Sequence, residues 1–181
     1  MNDDHLIAQT LEGNRDAFGE LVTKYQVRLY NTMIQIVGCT EDAYDVTQDA
    51  FMQAYLRLET FRRSSKFYTW LYRIAFNAAI GMRRKNKAYR VTESIQQEMH
   101  DRLVDRELRP DENLISQENI KSVRVAIDRL DEEFRSVVVL RELEEFSYEE
   151  IAEILNIPIG TVRSRLHRAR MLIREHLFRI N

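Results

Sequence analysis

Arg163, Ser164, His167 and Arg168 fall at spacings that a helix would gather on one face, with Val162 and Leu166 on the other. These side chains share one kind of chemistry. An arginine forks onto guanine O6 and N7, a serine hydroxyl adapts to several partners, and an imidazole donates or accepts. From Thr161 onward, arginines 163, 165, 168, 170, 174 and 179 stand against a single acid, Glu175. Such a concentration of cation is an electrostatic footprint for phosphates. A solvated basic helix would carry the same charge, so what precedes it matters. Ser147-Tyr148-Glu149-Glu150 is a capping box ahead of Ile151, Ile154 and Leu155, and Asn156-Ile157-Pro158-Ile159-Gly160 breaks the pattern before a last helix starting at Thr161. With Ala152 small enough for close contact, this is a helix-turn-helix, whose second helix meets base edges in the major groove.

A second set interleaves aromatic rings with cations: Phe61, Arg62, Arg63, Lys66, Phe67, Tyr68, Trp70, Tyr72, Arg73 and Phe76, followed by Arg83, Arg84, Lys85, Lys87 and Arg90. Rings stack on unpaired bases while cations track the backbone, which suits single-stranded nucleic acid. Trp70, Ile74 and some of the aromatics also fit a helix core; the loop Arg62–Phe67 is the part expected to meet DNA. A third set is acidic. Asp42, Asp45 and Asp49 stack on one helix face beside Gln48. Like charges so placed cost a few tenths of a kcal/mol per pair. A wet surface tolerates that, but the stripe repels DNA and suits a basic protein partner better.

The elements that must position these sets are helices. Five glycines and two prolines in 181 residues leave little punctuation for β-turns. Apolar positions at Phe18, Leu21, Val22, Tyr25, Leu29, Met33 and Ile36 predict a long helix from Asp16 to near Gly38. Thr40 is the expected N-cap of the next, whose apolar side runs Val46, Ala50, Ala54 and Leu58. Another is expected from about Phe67 toward Arg84, and a short one over residues 3–12 completes a bundle of residues 1–90. Residues 91–117 form an acidic, apolar-poor linker containing Pro110. Periodicity returns with Ile120, Val123, Ile127 and Leu130, then Phe134, Val137, Val138 and Leu140, giving a second domain over 118–181. The fold class is all-α: two small helical domains joined by a flexible linker.

The remaining features are negative. Net charge is −2, so any nucleic-acid contact must come from local patches. No apolar run is long enough for a membrane helix, the start is acidic where a secretory signal is basic, and Cys39 is the one cysteine; the expected location is the cytoplasm. The four histidines form no ligand pattern, and neither a Gly-rich phosphate loop nor a nucleophile–base pair appears, so no metal, cofactor, small-molecule substrate or enzymatic activity is expected.

These residues resemble a family. Asp42–Phe51 is similar to the D-x-x-D-[LV]-x-Q-[ED]-x-F signature of sigma factor region 2. Phe67-Tyr68-Thr69-Trp70-Leu71-Tyr72-Arg73-Ile74-Ala75-Phe76-Asn77 resembles a motif of the small ECF sigma factors, and Leu140–Leu143, Ser147–Ala152 and Gly160–Arg170 resemble their region 4. The likeness spans nearly the whole chain and leans toward the envelope-stress, RpoE-like members. It implies a transcription initiation factor with several partners. Asp42, Asp45, Gln48, Asp49 and Phe51 would dock region 2 on the β′ clamp helices of core RNA polymerase, and region 4 would meet the β flap. Arg62, Arg63, Ser64, Ser65, Lys66, Phe67, Asn77, Arg83 and Arg84 would capture the minus-ten element of promoter DNA. Arg141, Thr161, Arg163, Ser164, His167 and Arg168 would read the minus-thirty-five element. An anti-sigma factor, often membrane-anchored, would hold the protein in check until a stress signal. Two positions depart from the pattern: Arg63 stands where relatives usually carry Gly, and His167 where envelope-stress relatives often carry an aromatic.

Two other readings fit parts of the sequence. A stand-alone DNA-binding regulator explains the helix-turn-helix and leaves the aromatic-basic block and acidic stripe idle. A sigma-like decoy that titrates an inhibitor needs the fold but not the polymerase.

Overall fold

A computed structural model of the chain describes residues 2–62, 64–93 and 122–180; for 83–93 and 179–180 it describes the backbone helix alone. The 91–117 linker therefore lies mostly outside the described residues. Eight helices make up the described chain: α1 (Asp3–Leu11), α2 (Arg15–Val37), α3 (Thr40–Leu56), α4 (Phe67–Glu93), α5 (122–128), α6 (Glu132–Val138), α7 (Tyr148–Leu155) and α8 (Ile159–Ile180). A short 3-10 turn, Leu58–Thr60, follows α3. The chain divides into two compact units, one holding α1–α4 and the other most of α5–α8.

In the first unit α3 packs on both α2 and α4, α2 also touches α4, and α1 lies along α2. Leu21, Leu29, Met33 and Ile36 of α2, Val46, Ala50 and Ala54 of α3, and Leu71, Ala75 and Phe76 of α4 are all but fully buried. Each buried large aliphatic side chain contributes roughly 1.5–3 kcal/mol. Local chemistry sets the ends. The Asn14 side chain accepts from the Asp16 amide at 3.1 Å to start α2, and Gly38, at φ 77°, stops it while donating its N–H to Ile34. Gly38 also moves the next cap by one residue. Cys39 becomes the extended N-cap of α3, its carbonyl taking the Ala43 amide, so Thr40, the expected cap, is the first helical residue instead.

In the second unit α8 packs on α6 through Val162, Leu166 and Ala169, which are buried at helical spacing. The capping box closes as predicted: Ser147 N–H donates to Glu150 at 2.9 Å, and Glu150 N–H donates to the Ser147 hydroxyl at 3.1 Å. Asn156 ends α7 in the left-handed conformation at φ 53°. Helix α8 starts two residues earlier than Thr161, because the Pro158 carbonyl already accepts the amides of Thr161 and Val162. One element has no counterpart in the sequence reading. After α6 the chain widens into a π-helical turn, Val139–Leu143, with Glu144 N–H reaching Val139. Five consecutive residues, Ser136 to Leu140, are buried across the junction.

Candidate nucleic-acid interface

Arg163, Ser164, His167 and Arg168 are all exposed, and Val162, Leu166 and Ala169 between them are buried. The core thus rotates α8 so that the four polar side chains leave the unit together. Ser164 donates its hydroxyl to the Thr161 carbonyl at 3.1 Å, and Thr161 itself is half-buried in the first turn. Arg141 comes from the π-helical turn. It donates to the Phe146 carbonyl at 2.7 Å and holds its guanidinium 5.2 Å from the centre of the Tyr148 ring. The Arg163 guanidinium lies 6.0 Å from that same ring. Tyr148 is therefore a shared platform for two cations that are far apart in sequence. Sequence reasoning missed it, since Tyr148 looked like the first residue of a capped helix and its partners are set by tertiary packing.

Not every arginine of α8 is available to phosphate. Arg165 pairs with Glu133 at 2.6 Å, and Arg170 with Glu142 at 2.6 Å. The bond to Glu142 is the main reason the Arg170 pKa lies above its usual value. These two cations tie α8 to α6 and the π turn, so the basic footprint narrows toward Arg163 and Arg168.

In the first unit, Arg62, Ser64 and Lys66 are exposed and Ser65 is half-buried between the Leu58–Thr60 turn and α4. Arg63 lies outside the described residues. Phe67, expected to face DNA, is 2% exposed and packs against Phe61, Trp70 and Tyr25. Its ring supports the loop from beneath and is closed to a stacking base. Asn77 is exposed one helical stretch further on, and Arg83 and Arg84 lie on the α4 backbone beyond it.

The acidic stripe is on α3. Asp45, Gln48 and Asp49 are exposed and Asp42 is half-buried. Phe51, expected on that surface, is 5% exposed and belongs to the core. The same helix instead exposes Tyr44 and Met52, at 58% and 53%. Among the described residues no cluster of His, Cys, Asp or Glu could hold a metal ion, and no helix is long and apolar enough to cross a membrane.

Comparison with known proteins gives the family. Residues 21–89 match the family model for Sigma-70 region 2, and residues 120–173 match that for Sigma-70 region 4. The chain is 37% identical to the ECF RNA polymerase sigma factor SigW of Bacillus subtilis, over 94% of each protein. It is 37% identical to the ECF RNA polymerase sigma-E factor of Escherichia coli K12, over 96% of this chain and 93% of that one. The chain belongs to the ECF RNA polymerase sigma factors.

This sigma factor also shares its fold with solved members. CnrH, in a complex with the cytosolic domain of CnrY, matches at a TM-score of 0.70 and 26% identity over 99% of each chain. RpoE of Bartonella quintana, in a complex with the anti-sigma factor NepR, matches at 0.70 and 24% identity over 88% of this chain and 96% of that one. As a sigma factor it binds core RNA polymerase and directs promoter-specific initiation. Matched region 2 contains the Arg62–Phe67 loop and the acidic stripe; matched region 4 contains the helix-turn-helix.

Proposed function

We propose that this sigma factor works through three faces, each too weak to act alone. The exposed side of α8, with Arg141 beside it, reads the minus-thirty-five element in the major groove. The loop 62–66, with Asn77 and the basic stretch through Arg83 and Arg84, captures an unpaired minus-ten base, whose unstacking costs a few kcal/mol. The α3 stripe of Asp42, Asp45, Gln48 and Asp49 docks on the β′ clamp helices. On polymerase, each DNA contact raises the effective concentration of the other.

One observation carries the reading: Arg163, Ser164, His167 and Arg168 are exposed together on α8, opposite Val162, Leu166 and Ala169 in the core. An apolar groove lined by Ile173, Leu177 and Phe178 with Arg170 and Arg174 supports a further contact with the β flap. The protein acts without catalysing a reaction, and it works in the cytoplasm where polymerase is. CnrH is solved with the cytosolic domain of CnrY bound. That supports control by an anti-sigma protein, membrane-anchored and releasing the factor under stress.

Run-off transcription with purified core polymerase on a promoter library tests the reading. Specific start points should appear with the wild-type factor. Arg163→Ala and Arg168→Ala should each weaken minus-thirty-five discrimination by about 1–3 kcal/mol. Unchanged discrimination in both variants would take the exposed face of α8 out of minus-thirty-five readout, and specific duplex binding that needs no polymerase would favour a stand-alone regulator.

A further inference from the structure

The loop 62–66 does not stand on α4 alone. At its base Phe61 and Phe67 meet edge to face, 5.9 Å apart at 89°, and Trp70 closes on both rings at 5.2 and 5.9 Å. Beneath that clasp lies Tyr25 of α2, whose ring is 5.9 Å from Phe67 and stacks on Tyr68 at 5.0 Å and 30°. Tyr25 is held from its far end. Its hydroxyl donates to one oxygen of Asp3 at 2.5 Å, and Lys24 donates to the other at 2.5 Å. The Tyr68 hydroxyl in turn donates to Tyr72 at 2.7 Å, and Tyr72 meets Thr32 at 2.8 Å. A continuous set of contacts therefore runs from the first residue of α1, through α2, to the first two residues of α4, where the loop ends.

The chemistry suits a support more than a contact. Burial, with the Asp3 bond second, pushes the Tyr25 phenol above its ordinary pKa, so it remains a donor throughout the working range. Lys24 is raised as well, chiefly by its bond to Asp3, which keeps that cation beside the carboxylate. Aromatic pairs have preferred geometries, so a ring fixed at its hydroxyl constrains the rings on either side. Asp3 and Tyr25 belong to no motif in the sequence, and their polar atoms are engaged with each other and with Lys24.

We propose that Asp3 and Tyr25 are positioning residues for minus-ten recognition, making α1 part of the machinery that holds the loop 62–66 in its reading shape. This rests on the reading that the loop contacts the minus-ten strand.

The experiment is a competition. Holoenzyme is reconstituted with each variant, and start-site usage is measured on a promoter library randomised over the minus-ten element, well below the unfolding temperature. The readout is the ratio between preferred and non-preferred sequences, from which any loss of folded protein cancels. Tyr25→Leu, which removes the stack on Tyr68, the tilted contact with Phe67 and the hydroxyl, should flatten that ratio at least fivefold, roughly the weight of the Tyr68 stack alone. Tyr25→Phe keeps the ring contacts and loses only the bond to Asp3, and Asp3→Ala loses the same bond from the other side, so each should flatten the ratio part-way, less than Tyr25→Leu. A Lys66→Ala and Arg62→Ala double variant separates the two levels of the argument. If the double variant flattens the ratio while Asp3→Ala and Tyr25→Phe both leave it intact, positioning by α1 is overturned while the loop reading stands; if Tyr25→Leu leaves it intact too, Tyr25 has no positioning role either. If the double variant also leaves the ratio intact, the loop reading fails and the positioning proposal falls with it.

Discussion

Phe51 and Phe67 both sit in stretches that resemble functional motifs, and both are in the core. A residue inside a binding motif can act by holding the backbone that its neighbours use, so type and spacing alone do not separate the two roles. Burial does. Phe51 shares the α3 core face with Ala43, Val46, Thr47, Ala50 and Ala54, while Asp45, Gln48 and Asp49 face outward. Phe51→Ala should then lower stability by about 3–5 kcal/mol, the usual cost of a large core deletion. Urea unfolding would show it as a reduced midpoint, with polymerase affinity per folded molecule almost unchanged. Full stability together with lost affinity would return Phe51 to the interface. The arginines of α8 teach the same lesson in charge. Arg165 and Arg170 look equivalent to Arg163 and Arg168 in sequence, yet only the first pair is bonded to glutamates of its own unit.

At the scale of elements, α7 depends on a two-way cap and α8 on the turn that follows it. Ser147→Ala removes the acceptor for the Glu150 amide and should cost about 1 kcal/mol, whereas Ser147→Asp should restore the bond. Amide hydrogen exchange at Glu150 and its neighbours would rise in the alanine variant alone; equal exchange in both would show that the cap contributes nothing. This element is legible in the sequence because a capping box is local: four adjacent residues carry its donors and acceptors. The long apolar repeats of α2, α3 and α4 are legible for a related reason, since one face of each has to be covered. The misses share a cause too. The cap of α3 moves from Thr40 to Cys39 because Gly38 has already turned the chain, and α8 begins at Ile159 because Pro158 offers its carbonyl early. The π turn is invisible in the sequence because its apolar residues suit an ordinary helix equally well. Tyr148 beneath Arg141 and Arg163, and Tyr25 beneath Phe67, rest on contacts between segments that no spacing rule connects.

Taken over the whole molecule, a net charge of −2 conceals a division of labour. Cations concentrate on α8 and around the loop before α4, and exposed acids line α3. Asp42 lies in the first turn of α3, where the helix dipole favours a carboxylate, but Asp45 and Asp49 lie beyond that turn and repel their neighbours at three- and four-residue spacing. Helix stability therefore gives little reason for those two, and DNA would oppose them; a basic protein surface is the partner that would favour them. Reversing two of these charges, Asp45→Lys with Asp49→Lys, leaves the buried face of α3 untouched. The pair remain like charges of each other, and Asp42 gains an attractive neighbour, so the helix should be no less stable. On the proposed docking of the stripe, polymerase binding is different: attraction becomes repulsion at two points, a change of several kcal/mol and roughly a hundredfold or more in affinity. The reversed factor should fold with an unchanged circular dichroism spectrum and fail to join core polymerase in a fluorescence binding assay. Added salt should narrow the gap between it and wild type by screening both terms. A decoy that only titrates an inhibitor would have no use for the stripe; in that case the reversal would leave polymerase binding as weak as before, and transcription would not depend on the factor at all.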